Sequence, residues 1–206
     1  MVGDAGLATL LLVVLATLGA FVHESWHWLA ARARDLPVRF GIDHRLYFVV
    51  FETDLSRLWA LPRRERFGPL LAGLAIDSVV LAGLLGAQYA VHLDIVALPA
   101  AAVRLCAALA YVYVANMVWQ CMIFLRTDLY AVLVMATGCR NLWRIKSLLL
   151  RRALGRLTDE QAAELARASD RDVRVGRWFR WVWVIGVVMA AGWFVVFVLP
   201  RSPPGV

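Results

Sequence analysis

One short stretch of the sequence carries the residues of a hydrolytic metal site. His23-Glu24-Ser25-Trp26-His27 has the pattern HExxH, in which two histidines four residues apart lie on one face of an α-helix. Both imidazoles can then bind one zinc ion (Zn2+), and the glutamate between them serves as general base. A chain with 4 His in 206 residues would contain this pattern by chance roughly 0.002 times. The motif therefore predicts a zinc site with Glu24 as the catalytic residue.

The overall composition places this motif in a membrane. Of the 206 residues, 62% are hydrophobic and 18% are charged, whereas soluble domains have about 45–50% and about 25%. This composition argues against nucleic-acid binders, secreted disulfide scaffolds and disordered proteins. The three cysteines form no CxxC pair and indicate no disulfide framework. Ionisable residues inside a membrane helix are costly and usually functional, which favours a metal site over two structural histidines bonded to nearby backbone.

Four apolar stretches are long enough to cross a bilayer, which takes about 20 residues. We predict an all-α polytopic membrane protein with a single domain. The predicted spans are residues 7–31, 67–91, 97–138 and 179–199, joined on one side by loops 32–66 and 139–178. The third stretch is too long for one straight crossing and too short for two. It is expected to break near residues 120–127, where irregular backbone lines a cavity.

Basic residues are concentrated in or beside two of the connecting segments. Of the 22 Lys and Arg, 18 lie in the loops 32–66 and 139–178, and Arg126 and Arg180 lie beside the second loop, near the ends of the third and fourth spans. Because cytoplasmic loops are enriched in basic residues, we expect both loops in the cytoplasm and both termini outside. The net charge of +7 then reflects membrane topology, and no nucleic-acid partner is expected. The near absence of lysine resembles GC-rich bacterial coding, so the expected location is a bacterial inner membrane.

The two loops contain small elements of their own. In the first loop, alternation over residues 38–42, turn residues at 43–45 and a strand-like run at 46–51 predict a β-hairpin. In the second loop, residues 141–152 are typical of an interfacial helix whose basic face meets anionic headgroups. A capping box at residues 158–161 predicts a short soluble helix after it.

Zinc in a hydrolase takes a third protein ligand and keeps one open position. Asp128 is the candidate, because it lies ten residues from the expected cytoplasmic end of its apolar stretch. His23 and Asp77 lie eight residues from the corresponding ends of theirs. At 1.5 Å per residue all three lie roughly 10–15 Å from the cytoplasmic face. Asp77 is expected to hydrogen-bond a ligating histidine or contact substrate, and a role as rival ligand stays open.

These motifs resemble those of the site-2 protease family of intramembrane zinc metalloproteases. The HExxH helix continues as Trp-Leu-Ala-Ala-Arg-Ala over residues 28–33. Residues 72–77, Ala-Gly-Leu-Ala-Ile-Asp, look like the family's Ala-Gly-Pro-x-x-Asn segment. Residues 125–130, Leu-Arg-Thr-Asp-Leu-Tyr, are similar to the third-ligand motif in the Arg-x-Asp-Gly-Tyr form linked to peptide maturation. The resemblance covers roughly residues 10–150.

The resemblance implies one zinc ion and peptide-bond hydrolysis within the membrane. The implied zinc ligands are His23, His27 and Asp128, with Glu24 as general base. The sequence departs from the family pattern in three ways: Leu129 replaces the glycine after the ligand, Asp77 replaces an asparagine, and Gln120 and Ile123 stand where the Asn and Pro before the ligand would be. Gln120 and Asn116 are then the candidate amides for holding the substrate.

The predicted function is zinc-dependent cleavage of a membrane-embedded or membrane-delivered peptide near the cytoplasmic face. The expected partners are that peptide or protein substrate and the lipid bilayer, and the oligomeric state stays open. In one alternative, Glu160 or Glu164 is the third ligand of a different membrane HExxH protease. In another, the altered residues around Asp128 belong to a catalytically inactive pseudoprotease that binds peptides as an export or immunity partner.

Overall fold

The structure, a computed structural model, describes residues 2–45, 48–139 and 141–197. Over these residues the chain forms seven α-helices and one two-stranded antiparallel sheet. Four of the helices are long and apolar enough to cross a membrane, as predicted. They are α1 (Val2–Arg32), α2 (Phe67–His92), α3 (Ala100–Gln120) and α7 (Asp170–Phe197).

The remaining elements are short and lie between these helices. Strands β1 (Phe40–Arg45) and β2 (Phe48–Thr53) follow α1 and pair with Phe40 opposite Thr53. Residues 43–45, expected in the turn, belong to β1 because the antiparallel ladder continues through them. Part of the predicted second strand, residues 46–47, lies outside the described residues. The short helices are α4 (Asp128–Thr137), α5 (Leu142–Ala153) and α6 (Asp159–Ala166).

The third apolar stretch leaves the α-helical path at Gln120. A single turn of 3-10 helix covers Ile123–Leu125, and Arg126 adopts a left-handed conformation with φ 60°. Thr127 is extended and Asp128 begins α4. The break therefore places the Asp128 carboxylate at a helix N-terminus, where the helix dipole favours negative charge.

An apolar cluster fixes α1, α2 and α4 relative to one another. Its buried members are Ala31, Leu36, Leu58, Leu70 and Met135. Because this cluster includes the C-terminal end of α1 and the first turns of α2, it holds together the two helices that carry the HExxH motif and Asp77. The Arg63 guanidinium also donates a hydrogen bond to the Ala136 carbonyl in the last turn of α4.

Helix α5 packs against α7 through aromatic residues and the single lysine of the chain. Lys146 is only 3% exposed, and its Nζ lies 3.7 Å from the ring centroid of Trp143 and 4.0 Å from that of Trp183. Burial lowers the pKa of Lys146 to about 8, whereas the two indole faces stabilise its charged form. The contact ties α5 to the fourth apolar helix.

Helix α7 is longer than its apolar run. It begins at Asp170, nine residues before the span predicted from hydropathy at 179. Asp170 and Asp172 lie in the first turn, where negative charge stabilises a helix N-terminus. The polar residues among 170–180 therefore belong to the same continuous helix as the apolar residues that follow them.

A large apolar crevice separates the N-terminal parts of α1 and α3. It has a volume of about 680 Å³ and is lined by residues between 7 and 12 of α1 and between 101 and 108 of α3. Arg104 is the one charged residue in its wall. The bundle is thus closed around the HExxH end of α1 and opens between these two helices towards their N-termini.

Candidate metal centre

Helix α1 presents both imidazoles of the HExxH motif to the interior of the bundle. His23 and His27 are 4% and 2% exposed, and their Nε2 atoms lie 3.2 Å apart. This proximity follows from helix geometry, since residues i and i+4 are stacked one turn apart on one face. The remaining faces of α1 are largely exposed and carry leucine, valine and phenylalanine.

The carboxylate of Asp128 completes a compact group with the two histidines. Its Oδ2 lies 3.0 Å from Nε2 of His23 and 3.2 Å from Nε2 of His27. The three predicted ligand residues are thus brought together although 101 residues separate His27 from Asp128. The Asp128 side chain is 19% exposed, against 5% and 2% for the histidine side chains. The group is therefore accessible from the side of Asp128.

The outer nitrogen of each imidazole is held by an acceptor. Nδ1 of His27 lies 2.7 Å from the carbonyl oxygen of Pro69. Nδ1 of His23 lies 2.8 Å from Oδ2 of Asp77, which also accepts a hydrogen bond of 2.9 Å from Asn116 Nδ2. A carbonyl oxygen only accepts, so the His27 Nδ1 atom carries the proton, and the Asp77 carboxylate assigns the same tautomer to His23. Asp77 occupies the position expected for a residue that orients a ligating histidine.

With each imidazole neutral, this tautomer leaves the Nε2 lone pairs of His23 and His27 facing Asp128 Oδ2, which is also an acceptor. A cation bound among the three atoms would take all of them as ligands. Four-coordinate zinc bonds of about 2.0–2.1 Å place ligand atoms about 3.4 Å apart, and the observed separations are 3.0–3.2 Å. The donor set of two imidazoles and one carboxylate fits a zinc ion with a fourth position open.

Helix α2 supports the histidines with residues spaced four apart. Pro69, Gly73 and Asp77 form one stripe, and this stripe faces the imidazoles of α1. A Cβ atom on Gly73 would overlap the Nε2 atoms of both histidines, so only glycine allows this approach. Of these three residues, Asp77 was predicted from the sequence, Gly73 was noted there only as part of the segment 72–77, and the role of Pro69 was missed. The four-residue spacing back from Asp77 was the signal that could have found them.

The glutamate of the HExxH motif, Glu24, contacts a residue that the sequence did not indicate. Thr53 Oγ1 lies 2.8 Å from Oε2 of Glu24 and 3.1 Å from the Glu24 backbone carbonyl. Thr53 is 5% exposed and is the last residue of β2. The hairpin thus ends against the HExxH helix and donates a hydroxyl to the Glu24 carboxylate. No local sequence pattern links a strand terminus to a helix 29 residues earlier in the chain.

Both predicted amides hold other site residues. Gln120 Oε1 accepts a hydrogen bond of 3.0 Å from the backbone N–H of Asp128, and Thr127 Oγ1 donates to the Gln120 carbonyl at 2.7 Å. These contacts span the helix break and fix the direction of Asp128. With Asn116 on Asp77, the two amides occupy supporting positions behind the ligand group.

Leu129 stands where the motif that the sequence resembles has a glycine, and the backbone here allows a side chain at that position. Leu129 lies in the first turn of α4, where an ordinary side chain is allowed. The left-handed residue that reverses the backbone is Arg126, two positions before Asp128. The glycine is therefore not required by the backbone at position 129.

The alternative third ligand lies elsewhere. Glu164 in α6 forms an exposed ion pair with Arg144 of α5, at 2.6 Å between Oε2 and Nη2. The Arg144 guanidinium lowers the pKa of the Glu164 carboxyl. Among the described residues, the grouping of His, Cys and acidic side chains that could hold a metal ion is His23, His27 and Asp128.

Comparison of the chain with protein family models, with curated proteins and with solved structures finds no match.

Proposed function

We propose that this protein is an intramembrane zinc endopeptidase that resembles the site-2 protease type. The observation that carries the proposal is the convergence of three possible ligand atoms, Nε2 of His23, Nε2 of His27 and Oδ2 of Asp128. The Asp77 carboxylate and the Pro69 carbonyl bind the outer imidazole nitrogens, and the Gln120 side chain accepts a hydrogen bond from the backbone N–H of Asp128. Ligands oriented in this way are typical of functional metal sites. Glu24, next to one ligand on the same helix, supplies the general base that a binding protein would not need.

In the proposed reaction, each residue of the site has a separate role in peptide hydrolysis. A bound zinc ion supplies Lewis-acid polarisation of the scissile carbonyl and makes water a stronger acid. Glu24 accepts the proton of the attacking water and later donates it to the nitrogen of the leaving amine. Thr53 holds the Glu24 carboxylate through its hydroxyl. His23, His27 and Asp128 would hold the zinc ion, with access from the side of the partly exposed Asp128.

The substrate of the proposed reaction is an extended peptide at the cytoplasmic side of a bacterial inner membrane. The position of 20 of the 22 basic residues in or beside the two loops supports this orientation. A helical substrate hides its peptide bonds in hydrogen bonds and must unwind before attack. The hairpin β1–β2 ends at Thr53, beside Glu24, and strand addition to it would present an extended peptide to the site.

Zinc content and hydrolysis of a reconstituted peptide test the proposal together. The full chain is purified in a neutral detergent, analysed for metals, and placed in vesicles with a pool of single-span helical peptides in water enriched in heavy oxygen. We expect about one zinc per chain, cleaved peptides by mass spectrometry, and heavy oxygen in the new carboxyl termini. A chelator is expected to abolish cleavage, and added zinc to restore it.

Two results would contradict the proposal. Less than about half an equivalent of zinc in the purified chain would favour the pseudoprotease, a membrane protein that binds peptides for export or immunity. Full zinc loading without cleavage of any peptide in the pool would remove the enzymatic part of the proposal and leave a metal-binding membrane protein.

Thr53→Val is expected to lower the turnover number by about tenfold or more, since a hydrogen bond to a charged group is worth about 1.5–3 kcal/mol. Valine matches threonine in shape but has no hydroxyl, so Glu24 loses its donor while the metal ligands are unchanged. Zinc content is therefore expected to stay at the wild-type value. Turnover on the reconstituted peptides and metal analysis measure the two effects.

The matched control for this variant is Thr53→Ser, which restores the hydroxyl. We expect serine to recover most of the turnover. Equal loss of activity in both variants would show that the threonine methyl group, and not its hydroxyl, matters at this position.

A further inference from the structure

A basic pocket lies between α5 and α7, on helices that carry none of the predicted zinc ligands. Its volume is about 400 Å³. The lining residues are Leu149, Arg152, Ala153, Arg177 and Arg180. Three of these five are arginines and the other two are apolar, so the lining contains no carboxylate. The pocket combines strong positive charge with a short hydrophobic wall.

Close packing of α5 on α7 builds this pocket. A Cβ on Gly176 would lie 2.6 Å from Cγ2 of Ile145 and 3.3 Å from Cδ1 of Leu149, so the helices approach closely at this glycine. Arg180 Nη1 donates a hydrogen bond of 3.2 Å to the Leu149 carbonyl, which fixes the guanidinium at the pocket. Arg177 lies three residues earlier on α7 and shares the same face.

The arginines of the pocket differ from the neighbouring Arg144 in their surroundings. Arg144 is neutralised by Glu164, whereas the pocket brings guanidinium groups from two helices around one space. An anion placed between these guanidinium groups is attracted by all of them at once. Guanidinium groups bind phosphate through paired hydrogen bonds, which makes arginine the usual residue for that ligand.

The position of the pocket along α7 favours a lipid headgroup over free phosphate as the ligand. Arg177 and Arg180 immediately precede the uncharged stretch that begins at residue 181. When α7 crosses a bilayer, these two side chains lie at the level of the lipid headgroups, and the apolar residues beyond them face acyl chains. Basic pockets between helices at this level are suited to anionic lipid headgroups. A phosphate attached to a lipid satisfies both the arginines and the adjoining apolar surface.

We propose that this pocket binds the phosphate of an anionic phospholipid, with Arg152, Arg177 and Arg180 as its ligands. Leu149 and Ala153 then contact the glycerol end of the lipid. The site depends on α7 crossing the membrane and does not depend on zinc or proteolysis. Its occupant holds α5 against α7 at the membrane surface.

Titration of the full chain with phosphatidylglycerol in neutral detergent, followed by native mass spectrometry, tests the site. The test variant is Arg152→Gln/Arg177→Gln, which leaves the Arg180 hydrogen bond intact. At about 1 kcal/mol for each basic residue near a lipid surface, we expect its affinity to fall about 30-fold. The matched control, Arg151→Gln/Arg174→Gln, removes the same charge from the same helices outside the pocket. It is expected to change affinity by less than about threefold, because exposed charges act weakly in salt.

The other outcomes are equally informative. Equal weakening in both double variants would overturn the proposal in favour of diffuse surface charge. Competition by inorganic phosphate as strong as that of the lipid would assign the pocket to free phosphate and overturn the lipid assignment. Phosphatidylcholine binding as tightly as phosphatidylglycerol would also overturn it. If the double variant melts at a lower temperature than wild type without lipid, the affinity for phosphatidylglycerol is measured on the single variant Arg152→Gln instead. Arg152 is exposed and is absent from the described core clusters, so its replacement leaves the packing unchanged.

Discussion

Glu24→Gln is expected to abolish peptide hydrolysis while leaving the zinc content of the protein unchanged. General-base catalysis contributes about 10²–10⁴-fold to a rate, and glutamine has no basic oxygen to take the proton of water. The replacement is nearly isosteric, and its amide oxygen can still accept the Thr53 hydroxyl that lies 2.8 Å from Oε2. His23, His27 and Asp128 are untouched, so the metal stays. Single-turnover cleavage of a reconstituted peptide and metal analysis of the same preparation measure both quantities.

The matched control for this variant is Glu65→Gln. Glu65 is an exposed glutamate in the short 3-10 helix before α2, so the chemical change is identical but falls on a residue outside the ligand group. Cleavage at the wild-type rate is expected for it. Residual cleavage by Glu24→Gln above about one per cent of wild type would be incompatible with the general-base role.

Asp128→Ala is expected to release the zinc ion and the activity together. In the proposed site this carboxylate is one of three protein ligands, and its Oδ2 lies 3.0 Å and 3.2 Å from the two imidazole nitrogens. Removing it leaves two histidines, which is fewer than a catalytic zinc site retains. After dialysis against metal-free buffer we expect less than about a tenth of an equivalent of zinc, measured by elemental analysis.

Glu164→Ala separates this assignment from the rival third ligand. Glu164 forms an exposed ion pair with Arg144, and exposed pairs of this kind contribute about 0–1 kcal/mol to stability. The variant is therefore expected to keep its zinc and its fold. Loss of zinc from Glu164→Ala together with its retention in Asp128→Ala would contradict the assignment, because Glu164 would then be the third zinc ligand in place of Asp128.

The helices and the ligand group were within reach of sequence reasoning because each depends on local periodicity. Apolar length predicts the four long helices, and the spacing of His23 and His27 places them on one face. The shared depth of His23, Asp77 and Asp128 follows from counting residues along three helices, and in the structure these side chains lie within hydrogen-bond distance. Such counts stay accurate over the width of a bilayer because the rise per residue of an α-helix is constant.

The contacts made by loops and helix ends were not predictable in the same way. Thr53 reaches Glu24 from a strand terminus, and no period relates the two positions. The start of α7 at Asp170 was missed because hydropathy detects only the apolar part of a helix. A helix continues through polar turns when charges stabilise its end, as Asp170 and Asp172 do here. Arg126, and not the residue after the ligand, takes the left-handed conformation. That choice depends on how the broken helix fits its neighbours.

The crevice between α1 and α3 bears on how the purified protein is handled. About 680 Å³ of largely apolar space lies between these two helices and is open to their surroundings. When α1 and α3 cross a bilayer, this space faces acyl chains, which can fill it as side chains fill the interior of a soluble protein. Chain length and unsaturation of the added lipid are then conditions to control in any measurement on the purified protein.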